Sequence, residues 1–260
     1  MGHDVITPLF VFLFCLARIM AIFRTAPFMG GNALPGGVRN AVAMTMVILV
    51  YPMVLAEVPE GITLSIHLGM LMGKEILIGV IIGYLLGLLF WTAESVGFLI
   101  DNQRGASMAS SMDPLSGDQS SPLGSLFFQT VVMLFFLSGA FIAFIGFLMH
   151  SYAAWPVFSF LPNLSSNTLS DMFITQLNVF ARTVLALSGP ILILCFLTDL
   201  GLGLINRFAP QLNVFFLSMP IKSGLAMFFL ILYVGVLMHI FKDKIDSMQQ
   251  LYKFLQEAFQ

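Results

Sequence analysis

Lys74 and Glu75 are two charged residues inside one apolar run that extends from Ile62 to Trp91. A charged side chain at the centre of a membrane helix costs about 2.5–3.5 kcal/mol on insertion scales. We therefore expect this helix to face other protein, or a polar path, rather than lipid. Neighbouring residues point about 100° apart on a helix, so the two side chains should pair poorly with each other, and each needs another partner.

Three basic residues, Arg18, Arg182 and Lys222, also lie within apolar segments. Charges inside a membrane protein indicate a function by default, and two interpretations stay open. Buried pairs between helices or subunits would stabilise assembly, which we favour for Lys74, Glu75, Arg182 and Lys222. Alternatively, Lys74, Glu75 and Arg182 conduct an ion or a proton, as in a secondary transporter. Arg18 lies near the end of its apolar run and could instead extend to the membrane interface.

Gly79, Gly83 and Gly87 recur at every fourth residue and so share one face of the helix. Small residues at this spacing let a second helix approach closely in a membrane protein. Because glycine is common in membrane helices, ordinary packing is the alternative. The repeated spacing favours a tight contact between two helices.

The composition is that of an integral membrane protein. Of the 260 residues, 58% are hydrophobic and 9% are charged, whereas a soluble domain has about 25% charged residues. The net charge of −2 gives no case for nucleic-acid binding. The sequence has no nucleophile elbow, no His-Glu-x-x-His motif and no phosphate-binding loop, and its two cysteines follow no metal or disulfide pattern. We therefore expect no enzymatic activity, no cofactor and no metal.

Six apolar segments, each near the roughly 20 residues needed to cross a bilayer, predict an all-α polytopic membrane protein with about six long hydrophobic helices. Proline interrupts the second, fifth and sixth segments, so we expect some helices to be broken. The fourth segment has no charged residue and is the most uniform. The segments are 5–23, 41–59, 62–90, 123–149, 174–197 and 214–241.

Four arginines lie in the polar connections 24–40, 92–122 and 199–213, namely Arg24, Arg39, Arg104 and Arg207. By the positive-inside rule these connections are cytoplasmic, which places both termini outside. Lys242, Lys244 and Lys253 near the C-terminus contradict that placement. Either one segment does not span the bilayer, or the chain is not held in the bilayer in the ordinary way.

The longest polar stretch, Thr92–Pro122, is predicted to be helical in its first part, to Ile100. From Gly105 onward its residues are mainly small, with Met108 and Met112 among them. Small residues and flexible methionine suit a seal that deforms and forms again. An ordinary solvent loop is the alternative.

Several sequence blocks together resemble one known family. In this order, over essentially the whole chain, they resemble the FliR/SctT family (YscT, SpaR), the export-apparatus component of type III secretion. The Gln-Arg-Gly and Pro-Ile-Lys-Ser-Gly sequences are closer to the injectisome branch, SctT, than to flagellar FliR. The blocks are KEILIGVIIG (Lys74–Gly83), ESVGFLIDNQRG (Glu94–Gly105), Asp113-Pro114, QSSP (Gln119–Pro122), NRFAPQLNVF (Asn206–Phe215) and PIKSG (Pro220–Gly224).

The resemblance implies a structural component of an export gate in the bacterial inner membrane. Its partners would be FliP/SctR-type and FliQ/SctS-type membrane subunits, a FlhB/SctU-type switch protein, and inner rod, needle or filament-base components. Unfolded secretion substrates would pass through the gate. The complex would be raised partly to the periplasmic side, which would resolve the conflict over the C-terminal lysines.

The resemblance also implies a division of the chain and roles for its residues. Residues 1–170 would be the FliP/SctR-like part, and residues 171–260 a FliQ/SctS-like C-terminal helical hairpin and tail. A plug loop that obstructs the closed pore would lie at Gly105–Ser121, and Lys74, Glu75 and Lys222 would lie at subunit interfaces. The plug residues would be Gly105, Ser107, Met108, Met112, Asp113, Pro114, Ser116 and Gly117. The cytoplasmic hairpin tip, facing the switch protein, would be Arg207, Pro210, Gln211 and Asn213.

Overall fold

The computed structural model describes residues 3–30, 35–56, 58, 66–106, 121–159, 166–209 and 214–258. Seven α-helices and one short 3₁₀ turn, Pro27–Met29, account for nearly all of these residues, and no strand occurs among them. The prediction of an all-α protein is therefore confirmed. The helices are α1 (His3–Thr25), α2 (Gly36–Leu55), α3 (Ile66–Gln103), α4 (Pro122–Leu137), α5 (Ala140–Ala154), α6 (Ser166–Phe208) and α7 (Val214–Ala258).

The helices are long and apolar enough for a multi-pass membrane protein. Five of the described helices could each cross a bilayer, and the bent pair α4–α5 would make a sixth span. This agrees with the six predicted apolar segments. The helix predicted to reach Ile100 continues to Gln103, as the end of α3.

Two predicted boundaries differ from the structure. The apolar segment 123–149 is not one continuous helix, since it is broken at Gly139, whose φ of +78° is a left-handed conformation between α4 and α5. As a bent pair the two helices still count as one candidate span. The polar connection predicted to begin at Asp199 is helical up to Phe208, because apolar residues continue around the polar ones in that stretch and propensity alone does not end the helix.

The chain forms two compact units that alternate along the sequence. The first unit comprises Met1–Leu89, Phe136–Gln176 and Asp246–Gln260, and the second comprises Phe90–Phe135 and Leu177–Ile245. The two units are groups of residues that contact one another within the chain. The predicted division at about residue 170 instead separates a part that resembles FliP/SctR-type subunits from a part that resembles FliQ/SctS-type subunits. That division stays a prediction.

Aromatic side chains fill the interior of each unit. In the first unit, the ring of Phe28 meets that of Phe144 edge to face, with the ring centres 5.7 Å apart. In the second unit, Phe90 packs against Phe135 at 5.4 Å. Both Phe28 and Phe90 are fully buried, so the many phenylalanines of the sequence serve partly as internal packing and not only as a lipid-facing surface.

In the first unit, α3 approaches α1 closely at two of the predicted packing glycines. A Cβ atom at Gly79 would lie 2.5 Å from the carbonyl oxygen of Arg18 and 2.6 Å from Cβ of Ala21. A Cβ atom at Gly83 would overlap Oγ1 of Thr25. Gly87, one turn further on, is also buried. Only glycine fits at the first two positions without moving one backbone away from the other.

We predict that Gly79→Val destabilises the protein by about 1–3 kcal/mol, the usual cost of inserting extra atoms into a packed interior. The control is Gly73→Val on the same helix, because nothing lies within 4 Å of the Cβ position at Gly73. Both cysteines are buried, so a thiol-reactive dye reports unfolding of the detergent-solubilised protein on heating. Equal apparent Tm values for the two variants would contradict the predicted close contact.

Candidate functional site: two buried polar clusters

Arg18 and Glu75 form an ion pair inside the first unit. Both side chains are fully buried. Nε of Arg18 lies 2.6 Å from Oε2 of Glu75, and Nη2 lies 3.0 Å from Oε1. This two-point geometry is the strongest form of an arginine–carboxylate contact. The interpretation that Arg18 extends to the membrane interface was therefore wrong, because its partner lies inside the protein.

The remaining donors of Arg18 bind the end of α5. Nη1 donates to the carbonyl oxygen of Ser151 at 2.8 Å, and Nη2 to that of Trp155 at 2.9 Å. Carbonyls at a helix C-terminus carry partial negative charge and favour a nearby cation. The guanidinium also lies over the ring of Tyr152, 4.0 Å from its centre, and the Tyr152 hydroxyl donates to the carbonyl of Cys15. Arg18 thus connects α1, α3 and α5.

Lys74 joins the same cluster from the other side of Glu75. Its Nζ lies 2.9 Å from Oε1 of Glu75, so the expectation that these neighbours pair poorly was wrong. The four-carbon side chain of lysine is long and flexible enough to turn back to the adjacent carboxylate. Nζ also donates to three carbonyls that follow α5, those of Pro156, Val157 and Ser159, at 2.8–2.9 Å.

Two cations and one carboxylate leave an excess positive charge in this cluster, and backbone carbonyls surround it. Five carbonyl oxygens accept from Arg18 or Lys74. The desolvated charges are therefore all hydrogen-bonded, which is the condition for keeping them buried. The arrangement can fix the segment after α5 against α1 and α3, and it has few unused donors with which to pass a proton.

A second polar cluster lies in the second unit, around Asp101 near the end of α3. Asp101 is 3% exposed, accepts from Arg104 and Ser121, and also accepts from the backbone N–H of Leu123. Arg104 in turn donates to Ser223. From the sequence, Asp101 and Arg104 were predicted only as part of the block Glu94–Gly105, without a role of their own. The available signal was an acid and a base three residues apart at the polar end of an apolar segment.

The other charges predicted to be buried differ in their exposure and partners. Lys222 is largely buried and pairs with Asp199, at 3.0 and 3.1 Å to the two carboxylate oxygens, which joins α6 to α7 in the second unit. Arg182 and Arg207 are exposed on α6. Burial of Arg182 by a neighbouring subunit stays a prediction, as does the placement of Lys74, Glu75 and Lys222 at subunit interfaces.

Several predicted residues fall outside the part of the chain that the structure describes. Of the predicted plug residues, only Gly105 is described. Its left-handed φ of +86° suits a residue just past the end of α3. Among residues 121–159 and the other described ranges, no group of three or more His, Cys, Asp and Glu could hold a metal. The predicted residues outside the described ranges are Ser107, Met108, Met112, Asp113, Pro114, Ser116 and Gly117 of the plug loop, and Pro210, Gln211 and Asn213 of the hairpin tip.

These features define a multi-pass helical membrane protein whose buried charges, among the described residues, are ion-paired or hydrogen-bonded within the chain. Residues 9–248 match the family described as bacterial export proteins, family 1. The chain therefore belongs to this family, the FliR/SctT family of type III secretion export proteins, and to its injectisome branch.

Curated relatives agree with this assignment. The chain is 43% identical to the Yop proteins translocation protein T of Yersinia pestis over 87% of this chain and 86% of that protein. It is 33% identical to the surface presentation of antigens protein SpaR of Salmonella typhimurium, over 84% and 80% of the two chains. It is 29% identical to the flagellar biosynthetic protein FliR of Bacillus subtilis, over 92% and 93%. The names of these relatives describe translocation and flagellar biosynthesis and do not name an enzyme.

We predict that Glu75→Ala destabilises the protein by about 3–5 kcal/mol, because it leaves two buried cations without their counter-charge. Replacing Arg18 and Glu75 together by methionine should cost less than Glu75→Ala, since Lys74 keeps its three carbonyl acceptors. Thiol labelling of buried Cys15 and Cys195 on heating measures both effects.

The matched control is Glu94→Ala, which removes an exposed carboxylate from the same helix. A Glu75→Ala protein that unfolds at the wild-type temperature, or a double variant that is less stable than Glu75→Ala, would contradict the stabilising role of the ion pair.

Proposed function

We propose that this chain is a structural subunit of the type III secretion export gate. Together with SctR/FliP-type and SctS/FliQ-type membrane subunits it forms a channel for unfolded protein substrates. The observation that carries the proposal is membership of the bacterial export protein family over residues 9–248. The relatives named as translocation and surface-presentation proteins support the same assignment.

The length of the apolar helices supports the presence of partner subunits. The apolar part of α6, Phe173–Phe208, has 36 residues and a mean hydropathy of 2.0. At about 1.5 Å per residue it is roughly 54 Å long, whereas the hydrocarbon core of a bilayer is about 30 Å thick. Even if the helix were tilted by about 40°, at the upper end of the usual range, it would extend about 41 Å along the membrane normal. This length exceeds the thickness of the hydrocarbon core.

Exposed apolar side chains occur along this whole length of α6. Large aliphatic side chains more than half exposed occur from its beginning to its end, and lipid can cover only part of them. Neighbouring membrane subunits would cover the rest. Such side chains include Ile174 (60% exposed), Leu185 (62%), Ile193 (61%), Leu197 (58%) and Leu204 (63%).

The way in which the buried charges are paired and hydrogen-bonded supports a structural role more than a transport role. In a secondary transporter that used Lys74 and Glu75, these groups would need to bind and release an ion. Glu75 instead accepts from Arg18 through both carboxylate oxygens, and Lys74 donates to three carbonyls. The transporter interpretation has no observation that favours it.

The remaining assignments follow from the family. We propose that residues 1–170 occupy a SctR-like position and that residues 171–260 form the SctS-like hairpin. The turn after Arg207 would face a SctU/FlhB-type switch protein, and inner rod or needle components would continue the channel outward. The gate would be raised partly out of the membrane to the periplasmic side, which would accommodate Lys242, Lys244 and Lys253 at the C-terminal end.

We further propose that the loop Gly105–Ser121 closes the channel between rounds of export. The composition of the loop supports this role, since glycine, serine and alanine allow close and deformable packing around Met108 and Met112. Both ends of the loop are anchored in the second unit, because Asp101 binds Arg104, directly before the loop, and Ser121, its last residue.

We predict that replacing residues 107–120 by a short Gly-Ser linker makes membranes that contain the assembled complex leak small ions. The variant retains Gly105, Ala106 and Ser121, so the ends of α3 and α4 keep their hydrogen bonds. Conductance is measured in reconstituted bilayers, with complex yield on native gels as the check on assembly.

A second variant, Met108→Ala with Met112→Ala, should leak less than the linker variant but more than the wild type. Wild-type conductance in both variants, with normal complex yield, would contradict the plug role and leave the structural role of the subunit standing.

A further inference from the structure

One oxygen of Asp101 fixes the start of α4. Its Oδ2 accepts from the Ser121 hydroxyl at 2.6 Å and from the backbone N–H of Leu123 at 2.9 Å. The Ser121 hydroxyl also accepts from the N–H of Gly124, so it caps α4 in the usual way for serine. The carboxylate therefore holds the residue that caps the start of α4.

The other oxygen of Asp101 fixes the end of α3. Oδ1 accepts from Nε of Arg104 at 2.8 Å and from Nη2 at 2.7 Å. Nη1 of Arg104 then donates to the Ser223 hydroxyl on α7 at 3.0 Å. A continuous chain of hydrogen bonds thus runs from the start of α4, through Asp101 and Arg104, to α7.

At this point α7 is paired with α6. Lys222, which precedes Ser223, pairs with Asp199 of α6. Met219, one turn earlier on α7, lies beside Gly105, where its Cγ would be 3.5 Å from an added Cβ. α7 therefore contacts both Arg104 and the residue after it.

We propose that Asp101 and Arg104 are positioning residues that couple the α6–α7 pair to the end of α3 and to the start of α4. Arg104 follows the last residue of α3, and Ser121 precedes the first residue of α4. A displacement of Ser223 moves Arg104, and Asp101 transmits that movement to the start of α4. Any consequence for opening the channel rests on the role proposed above for Gly105–Ser121, whereas the coupling itself does not.

The test is a distance measurement between the two ends. Spin labels are attached to the full-length chain through Ala106→Cys and Ser125→Cys. The labelled chain is extracted together with the proposed SctR-type and SctS-type subunits, co-expressed with it. The native thiols of Cys15 and Cys195 are buried, so the label is directed to the introduced thiols. Ser223→Ala should raise the population outside the wild-type distance by about fivefold or more, the lower end of typical coupling between linked sites. Asp101→Asn should have the same effect.

The matched control is Thr198→Val, which removes a hydroxyl that donates to the Leu194 carbonyl of its own helix. A wild-type distance distribution in Ser223→Ala would overturn the coupling, and so would an equal change in Thr198→Val, because the effect would then be a general loosening of the α6–α7 pair. Complex yield on native gels is followed for every variant.

Ion conductance separates this proposal from the plug role. If Ser223→Ala changes the distances while the linker variant of residues 107–120 does not leak, the coupling stands and the plug role fails. If the linker variant leaks while Ser223→Ala leaves the distances unchanged, the coupling is overturned and the plug role stands.

Discussion

The ion pair between Arg18 and Glu75 is the interaction on which the first unit depends. A buried cation and anion are stable only when every donor and acceptor has a partner, and this condition determines the surrounding structure. The carbonyls that end α5 satisfy the remaining donors of Arg18, and those that follow it satisfy Lys74. The close approach of α1 to α3 at Gly79, one turn after Glu75, brings the backbone of Arg18 near enough for the pair to form.

The second unit also contains a buried acidic residue whose carboxylate oxygens all have hydrogen-bond donors. Asp101 on α3 is buried and bound by Arg104 and by the start of α4. One turn before it, Gly97 lies against the backbone at Gly124, where an added Cβ would overlap the N atom of Gly124. In both units an acidic residue of α3 therefore lies one turn from a glycine that lets another helix approach. Because the buried charges find partners inside each unit, large apolar side chains can remain on the exposed faces of the helices, which suits a subunit surrounded by other membrane subunits and lipid.

The hydrophobicity of the sequence and the positions of its charges made the helices and one buried polar cluster predictable. The apolar segments predicted the long helices, and the charges of Lys74 and Glu75 indicated a helix that faces protein. The partner of Glu75 was not predictable, because Arg18 is 57 positions away and only tertiary packing brings it near. The break at Gly139 was missed because glycine is tolerated in membrane helices, and only the backbone conformation distinguishes a break from continued helix. Asp101 was missed because it lies at the polar end of a span, where a charged residue is ordinary.

Assembly with other subunits is the central claim, and native mass spectrometry tests it most directly. The tagged chain is co-expressed with its genomic neighbours, extracted in detergent and weighed as an intact complex. We expect one copy of this chain bound to several copies of two smaller membrane proteins. A lone monomer or a homo-oligomer, obtained under conditions that preserve other membrane complexes, would contradict the export-gate account.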